Sequence, residues 1–161
     1  ELGVTSVVFY LIAYLATNLA AFGVVSVAHK GIGSDDLTAY YGLSRRSPGL
    51  ALAMLVAFLS LAGMPPFGGF IVKVFVFAAA VNAGLIWLAV VGVLNSIIGL
   101  YYYLTVLKYV YLYRQEGDEQ PLAMAFPNKL ALIILSVAIL VIGSIFAPWF
   151  GWATSAAAAL F

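Results

Sequence analysis

The chain has 161 residues, 65% of them hydrophobic and 8% charged, with a mean hydropathy of +1.12 and a formal net charge of +1. A soluble domain carries roughly a quarter charged residues, and the apolar runs here exceed the ~18 residues that mark a membrane span, so a water-soluble fold is excluded. The charge offers no basic stripe to nucleic acid, the absence of cysteine excludes disulfides, thiol catalysis and cysteine-ligated iron–sulfur clusters, and the single histidine, His29, makes no metal site unaided.

In chain order, four apolar segments fit a ~30 Å hydrocarbon core. They cover residues 2–28, 48–81, 85–109 and 130–150, the last followed by an apolar tail to Phe161. The expected fold is all-α: a polytopic membrane protein of about four transmembrane helices in one membrane domain, residues 1–161. Glu1 leads almost directly into the first apolar stretch, without the basic region or cleavage site of a signal peptide. The start is therefore read as an internal point of a longer protein or the product of a split gene.

The first connection, 29–47, is long and polar. Its Ser34-Asp35-Asp36 reads as a helix N-cap ahead of Leu37, Tyr40 and Tyr41, with a stop at Gly42. Asn82-Ala83-Gly84 is a tight, uncharged turn. The third connection, 111–129, carries Arg114, Glu116, Asp118 and Glu119 and is punctuated by Pro121 and Pro127. Lys30, Arg45, Arg46, Lys108, Arg114 and Lys129, six of the seven basic residues, fall in or beside these two long connections. The positive-inside rule then expects both in the cytoplasm and both chain ends on the far side. Tyr109, Tyr111 and Tyr113 at one end, and Trp149 and Trp152 at the other, suit the two interfaces.

The second span is the anomaly. As one straight helix its 34 residues would measure about 51 Å. Gly63-Met64-Pro65-Pro66-Phe67-Gly68-Gly69 marks where it breaks. Pro65 and Pro66 each remove an amide donor and clash with the preceding turn, and Gly68 and Gly69 add further disruption. Free backbone groups at membrane depth are tolerated only against protein or a water-filled cavity, and transporters use discontinuous helices of this kind to bind or pass ions. Lys73 follows four residues after Gly69 and nine before Asn82. At 1.5 Å per residue it sits roughly 13 Å inside, near mid-bilayer, where a charge costs about 3 kcal/mol on insertion scales. A lysine there, beside unwound backbone and water, is the expected proton carrier. The other spans hold no acidic residue, so a static ion-pair partner would come from outside this chain.

Secondary candidates are weaker. Asn95 and Tyr102 in the third span could extend a water wire, while Gly92, Ser96 and Gly99 there suit close packing. Tyr14, Thr17 and Asn18 in the first span read as interhelical hydrogen-bonding groups. His29 reads as an interfacial residue and Lys108 as one that snorkels, each with a relay role as the alternative.

The run Ser60-Leu61-Ala62-Gly63-Met64-Pro65-Pro66-Phe67-Gly68-Gly69-Phe70-Ile71-Val72-Lys73 resembles the broken-helix motif of the antiporter-like subunits of respiratory complex I and the related Mrp antiporters, most closely the subunit N type. Phe9 to Tyr14, Asn18 to Val25, Asp36-Leu37, Tyr41 to Leu43 and Asn95 to Leu104 resemble the same family in the same order. The resemblance implies a family fold of fourteen spans around two inverted repeats of five, with this chain as spans eleven to fourteen and its C-terminus periplasmic. It implies that Lys73 holds the charged position of the broken helix, lysine in the N and L types and glutamate in the M type.

The resemblance further implies a proton-translocating membrane subunit of NADH:quinone oxidoreductase in the bacterial inner membrane. Its partners would be the lipid bilayer, other complex I membrane subunits and the rest of the same subunit. The chain would bind no cofactor and do no redox chemistry; NADH, FMN, iron–sulfur clusters and quinone would belong to other subunits. The first repeat's glutamate–lysine pair and the central lysine would lie in spans one to ten, so this chain would be at most half of a proton pathway. The alternatives are the matching part of a cation/proton antiporter or membrane-bound hydrogenase, and a non-transporting membrane scaffold in which Lys73 could become Leu without loss.

Overall fold

A computed structural model describes residues 2–114, 116 and 120–159. Glu1, Asp118, Glu119 and the end of the tail at Phe161 lie outside the described residues. The described residues form seven α-helices and one 3₁₀ turn, without a β-strand.

Helix α1 spans Leu2–Ile32. At 31 residues it is about 46 Å long, and it continues one turn beyond the expected Ala28. Gly33, at φ +78°, ends it, its N–H reaching the His29 carbonyl at 2.7 Å. The connection after it differs from the capping expectation. Asp36 precedes only a 3₁₀ turn, Leu37–Tyr40, and makes no side-chain cap; the Asp36 N–H instead donates to Ser34 Oγ at 3.1 Å. Gly42 opens rather than closes a helix, since its left-handed φ of +67° turns the chain into α2, Leu43–Arg46.

The second apolar segment is two helices, α3 (Pro48–Ala62) and α4 (Gly68–Asn82), each too short at about 22 Å to cross the core alone. Pro48 stands in the first turn of α3, where its missing N–H is harmless. At the end of α4, Gly84 takes φ +77°. Its N–H bonds the Val81 carbonyl and that of Leu85 bonds Ala80, both at 2.9 Å, the nested pair that closes a helix on glycine. Helix α5, Ile86–Tyr111, follows at once.

The last apolar segment also divides, which the sequence reading missed. Helix α6 runs over Phe126–Ser144 and α7 over Ala147–Ala158. Pro148 cannot donate to the Ser144 carbonyl four residues back, so the first helix stops there. Trp149 and Trp152 therefore sit on α7, packed edge to face at 5.1 Å.

Helices α1 and α3 are the middle of the bundle. Helix α1 packs on α3, α4, α6 and α7, and α3 also packs on α5 and α6. Small residues make this approach close: Ala13, Ala20, Ala21 and Ala28 of α1 and Ala51, Ala53 and Ala57 of α3 are buried. Leu50 and Met54 are wholly enclosed between them. Helix α5 lies outermost, with Ile86, Trp87, Val90, Leu94 and Ile97 exposed along it. Of the two glycines of α5, only Gly92 has another helix close against it, through the Phe77 ring of α4; a β-carbon at Gly99 would meet only Tyr103 of its own helix. The two long connections meet at one end of the bundle. The Gly42 N–H bonds the Tyr113 carbonyl at 3.1 Å, and the Leu122 N–H bonds Arg46 at 2.9 Å.

Candidate functional site

The break between α3 and α4 is a built joint. Gly63 adopts φ +82°, a left-handed conformation that favours glycine. Its N–H bonds the Ser60 carbonyl at 2.9 Å, and the Met64 N–H bonds Leu59 at 3.0 Å. This nested pair satisfies two of the last carbonyls of α3. The carbonyls of Leu61 and Ala62 remain, and their ordinary helical donors four residues on would be Pro65 and Pro66, which have no N–H. The prolines thus leave two strong acceptors at the break that no continuing helix can claim. The Pro65–Pro66 peptide is cis.

Lys73 takes one of them. Its Nζ donates to the Leu61 carbonyl at 2.9 Å, across the break from one half-helix to the other. Its stem lies over Gly63, where a β-carbon would sit 3.0 Å from both Cδ and Nζ. A second tie runs beside the first. The Gly69 N–H, in the first turn of α4, donates to Ser60 Oγ at 3.0 Å, so a serine of α3 caps α4. Ser60 Oγ also pairs with Thr17 Oγ1 of α1 at 3.1 Å. Ser60 and Thr17 are 0% and 2% exposed.

Gly69 and Gly143 permit the close approach. A β-carbon on Gly69 would collide with the Ser60 carbonyl, and one on Gly143 of α6 with the Pro66 carbonyl and the Gly68 amide. Helix α6 therefore covers the Pro66–Gly68 backbone of the unwound segment, as backbone at membrane depth requires, while Met64, Pro65 and Pro66 keep an exposed face.

Two cavities meet at Lys73. One, of about 20 Å³, lies among Tyr14, Thr17, Ser60, Gly69 and Lys73. The other, a cleft of about 420 Å³, lies between α1, α4 and α5 and is lined by Tyr10, Tyr14, Lys73, Asn95, Ser96 and Tyr103. Among the described residues no carboxylate lines either cavity.

The comparisons with known proteins agree with this architecture. Residues 1–99 match the family described as NADH:quinone oxidoreductase/Mrp antiporter, transmembrane. The chain belongs to that antiporter-like family. It is 45% identical over 138 residues to NADH-quinone oxidoreductase subunit N 2 of Herpetosiphon aurantiacus, covering 86% of this chain and 25% of that one. It is 38% identical over 160 residues to subunit N of Heliobacterium modesticaldum, covering 99% of this chain and 34% of that one. The chain thus spans only a quarter to a third of these relatives. Among solved structures, respiratory complex I from Thermus thermophilus with bound aureothin superposes at a TM-score of 0.77 and 32% identity, covering 92% of this chain and 34% of that one. The Mrp complex from Dietzia sp. superposes at 0.85 and 24% identity, covering 98% and 38%, a likeness of fold.

Within this antiporter-like chain, the residues singled out in the sequence separate clearly. Pro65, Pro66, Gly68 and Gly69 form the joint, and Asn95 joins Lys73 at the large cleft. Tyr102 does not: its side chain is exposed on α5, and Tyr103 is the tyrosine that lines the cleft. Lys108 lies at the other end of α5 with Nζ 5.3 Å from the centre of the Tyr113 ring. His29 pairs with Asp35, Nδ1 to Oδ1 2.8 Å, where both side chains are half or more exposed. Thr17 makes the interhelical hydrogen bond expected of it, to Ser60, while two contributors escaped sequence reasoning: Ser60 as a cap and Gly143 as the wall behind the break. A glycine inside an otherwise apolar helix is the signal that would have found Gly143. Among the described residues no three metal-ligating side chains converge, and the sequence has no cysteine for a cluster.

Proposed function

We propose that this chain is the C-terminal portion of a proton-translocating membrane subunit of NADH:quinone oxidoreductase, and that Lys73 carries a proton within it. The observation that carries the reading is Lys73 bridging the broken helix to the Leu61 carbonyl while facing a polar cleft. A charged ammonium has three donors and a neutral amine can also accept. Bound to the carbonyl, the nitrogen keeps further positions for cleft water. Asn95, Ser96, Tyr10 and Tyr103 supply the polar wall for that water. Among the described residues no carboxylate lines the cleft to hold the ammonium as a fixed counter-charge, which suits a lysine whose proton leaves.

The subunit N relatives, at 36–45% identity, favour complex I over the antiporter reading, which rests on the family shared by both and on a fold likeness. The end of the bundle holding Lys30, Arg45, Arg46, Lys108, Arg114 and Lys129 is assigned to the cytoplasm by the positive-inside rule. The complete subunit and its neighbouring membrane subunits supply the rest of the pathway, and all redox chemistry occurs in other chains. The test is Lys73→Ala in the intact complex: assembly persists while protons pumped per NADH oxidised fall. Wild-type pumping by an assembled Lys73→Ala complex refutes the assignment.

A further inference from the structure

The Thr17–Ser60 hydroxyl pair is not needed for a proton path through the large cleft, yet both residues are almost wholly buried and point at the joint. A hydroxyl in a membrane helix usually returns its hydrogen to its own backbone, as the less buried Ser96 does to Gly92, Thr105 to Tyr101 and Thr154 to Phe150. Thr17 and Ser60 instead bond each other across two helices, and Ser60 at the same time accepts the first-turn N–H of α4 from Gly69.

The joint therefore has two ties of different character. The Lys73–Leu61 tie runs through an ionisable group and weakens when the ammonium gives up its proton. The Ser60–Gly69 tie contains no ionisable group and persists through that change. Ser60 and Leu61 are adjacent on α3, and Gly69 and Lys73 are one turn apart on α4. The tie that stays holds the lysine in reach of the carbonyl it leaves. Between Lys73 and the hydroxyl pair lies the cavity of about 20 Å³. That is room for one water, with the Thr17 and Ser60 hydroxyls and the lysine nitrogen on its wall.

We propose that Ser60 and Thr17 are positioning residues for Lys73, a fixed hydroxyl hinge-pin that keeps the two half-helices in register while the lysine changes protonation state. This rests on the reading of Lys73 as a proton carrier. Thr17 orients the Ser60 hydroxyl so that its oxygen stays turned to the Gly69 N–H. Neither residue is itself a station for the proton.

The test uses the intact complex reconstituted in vesicles. Thr17→Val keeps the side chain's shape and removes the hydroxyl. The pumping rate falls about three- to tenfold, the population change that one neutral hydrogen bond supports, while subunit content is unchanged. Thr17→Ser restores it, and Thr105→Val, whose hydroxyl only bonds its own helix, pumps as wild type. Wild-type pumping by Thr17→Val overturns the proposal, and so does failure of Thr17→Ser to restore it. A Thr17→Val complex that does not assemble also overturns it, because a hydroxyl that only positions Lys73 is not needed for assembly. If Lys73→Ala pumps normally, the carrier reading falls; if Lys73→Ala is defective and Thr17→Val is normal, only the hinge-pin falls.

Discussion

Gly69→Ala is the sharpest test of the joint. The added β-carbon would overlap the Ser60 carbonyl oxygen and lie 2.7 Å from its carbon and 3.0 Å from the Ser60 hydroxyl. Two of these three atoms are backbone inside α3, so no side-chain rotation relieves the clash. The half-helices must part by on the order of an ångström to reach ordinary contact. That stretches the Gly69–Ser60 bond beyond its 3.0 Å and the Lys73–Leu61 bond beyond its 2.9 Å. Losing the cap costs about 1 kcal/mol, losing a hydrogen bond to a charged group about 1.5–3 kcal/mol, and overpacking about 1–3 kcal/mol. The sum, roughly 3.5–7 kcal/mol, comes from adding those three estimates and approaches a domain's whole stability. The assay compares the amount of the subunit in assembled complex and pumping per assembled complex. Gly49→Ala is the control, because a β-carbon there meets nothing within 4 Å. The expected result is loss of assembly or of pumping for Gly69→Ala and none for Gly49→Ala. A Gly69→Ala complex that assembles and pumps like wild type would refute the close-packed joint.

Other variants probe separate parts of the molecule. Gly143→Ala puts a β-carbon into the Pro66–Gly68 backbone and is expected to lower assembly much as Gly69→Ala does, read by subunit content in the purified complex. Phe75→Ala removes the centre of a ring cluster with Phe9, Phe146 and Phe150, at centroid distances of 5.9, 5.6 and 4.4 Å. It should cost about 3–5 kcal/mol of stability, seen as a lower thermal midpoint, with pumping per assembled complex retained. Asp35→Asn breaks the exposed His29–Asp35 pair. Such pairs contribute about 0–1 kcal/mol, so neither the thermal midpoint nor pumping should change measurably; a clear pumping defect would assign His29 a relay role.

Much of this protein was legible in one dimension because the bilayer simplifies the problem. Where backbone groups must be satisfied within a segment, apolar length reports helices directly, and α1 and α5 follow that pattern. The helix break and Lys73 were legible for a related reason: two prolines and two glycines remove donors whatever surrounds them, and a lysine in that setting is costly enough to stand out. The division at Ser144 was legible in principle, since Pro148 acts by the same local rule. It was hidden because the flanking residues stay apolar and hydropathy carries no hydrogen-bond information. The same holds for the Gly42 turn, whose left-handed φ can end a helix or open one.

Tertiary structure decided which groups meet. Sequence spacing places Ser60 thirteen residues before Lys73 and Thr17 far from both, and only the crossing of α1 over the joint brings the hydroxyl pair to the first turn of α4. Tyr102 and Tyr103 are equal in sequence, but helix rotation turns one outward and the other into the cleft. The acceptor for Lys73 is a backbone carbonyl, which every residue possesses, so no residue type could announce it. The sequence by itself determined that a helix must break and that a charge must be housed beside the break. The packing of α1, α4 and α6 around that break determined what houses it, because close approach at Gly69 and Gly143 is a property of pairs of surfaces rather than of a chain.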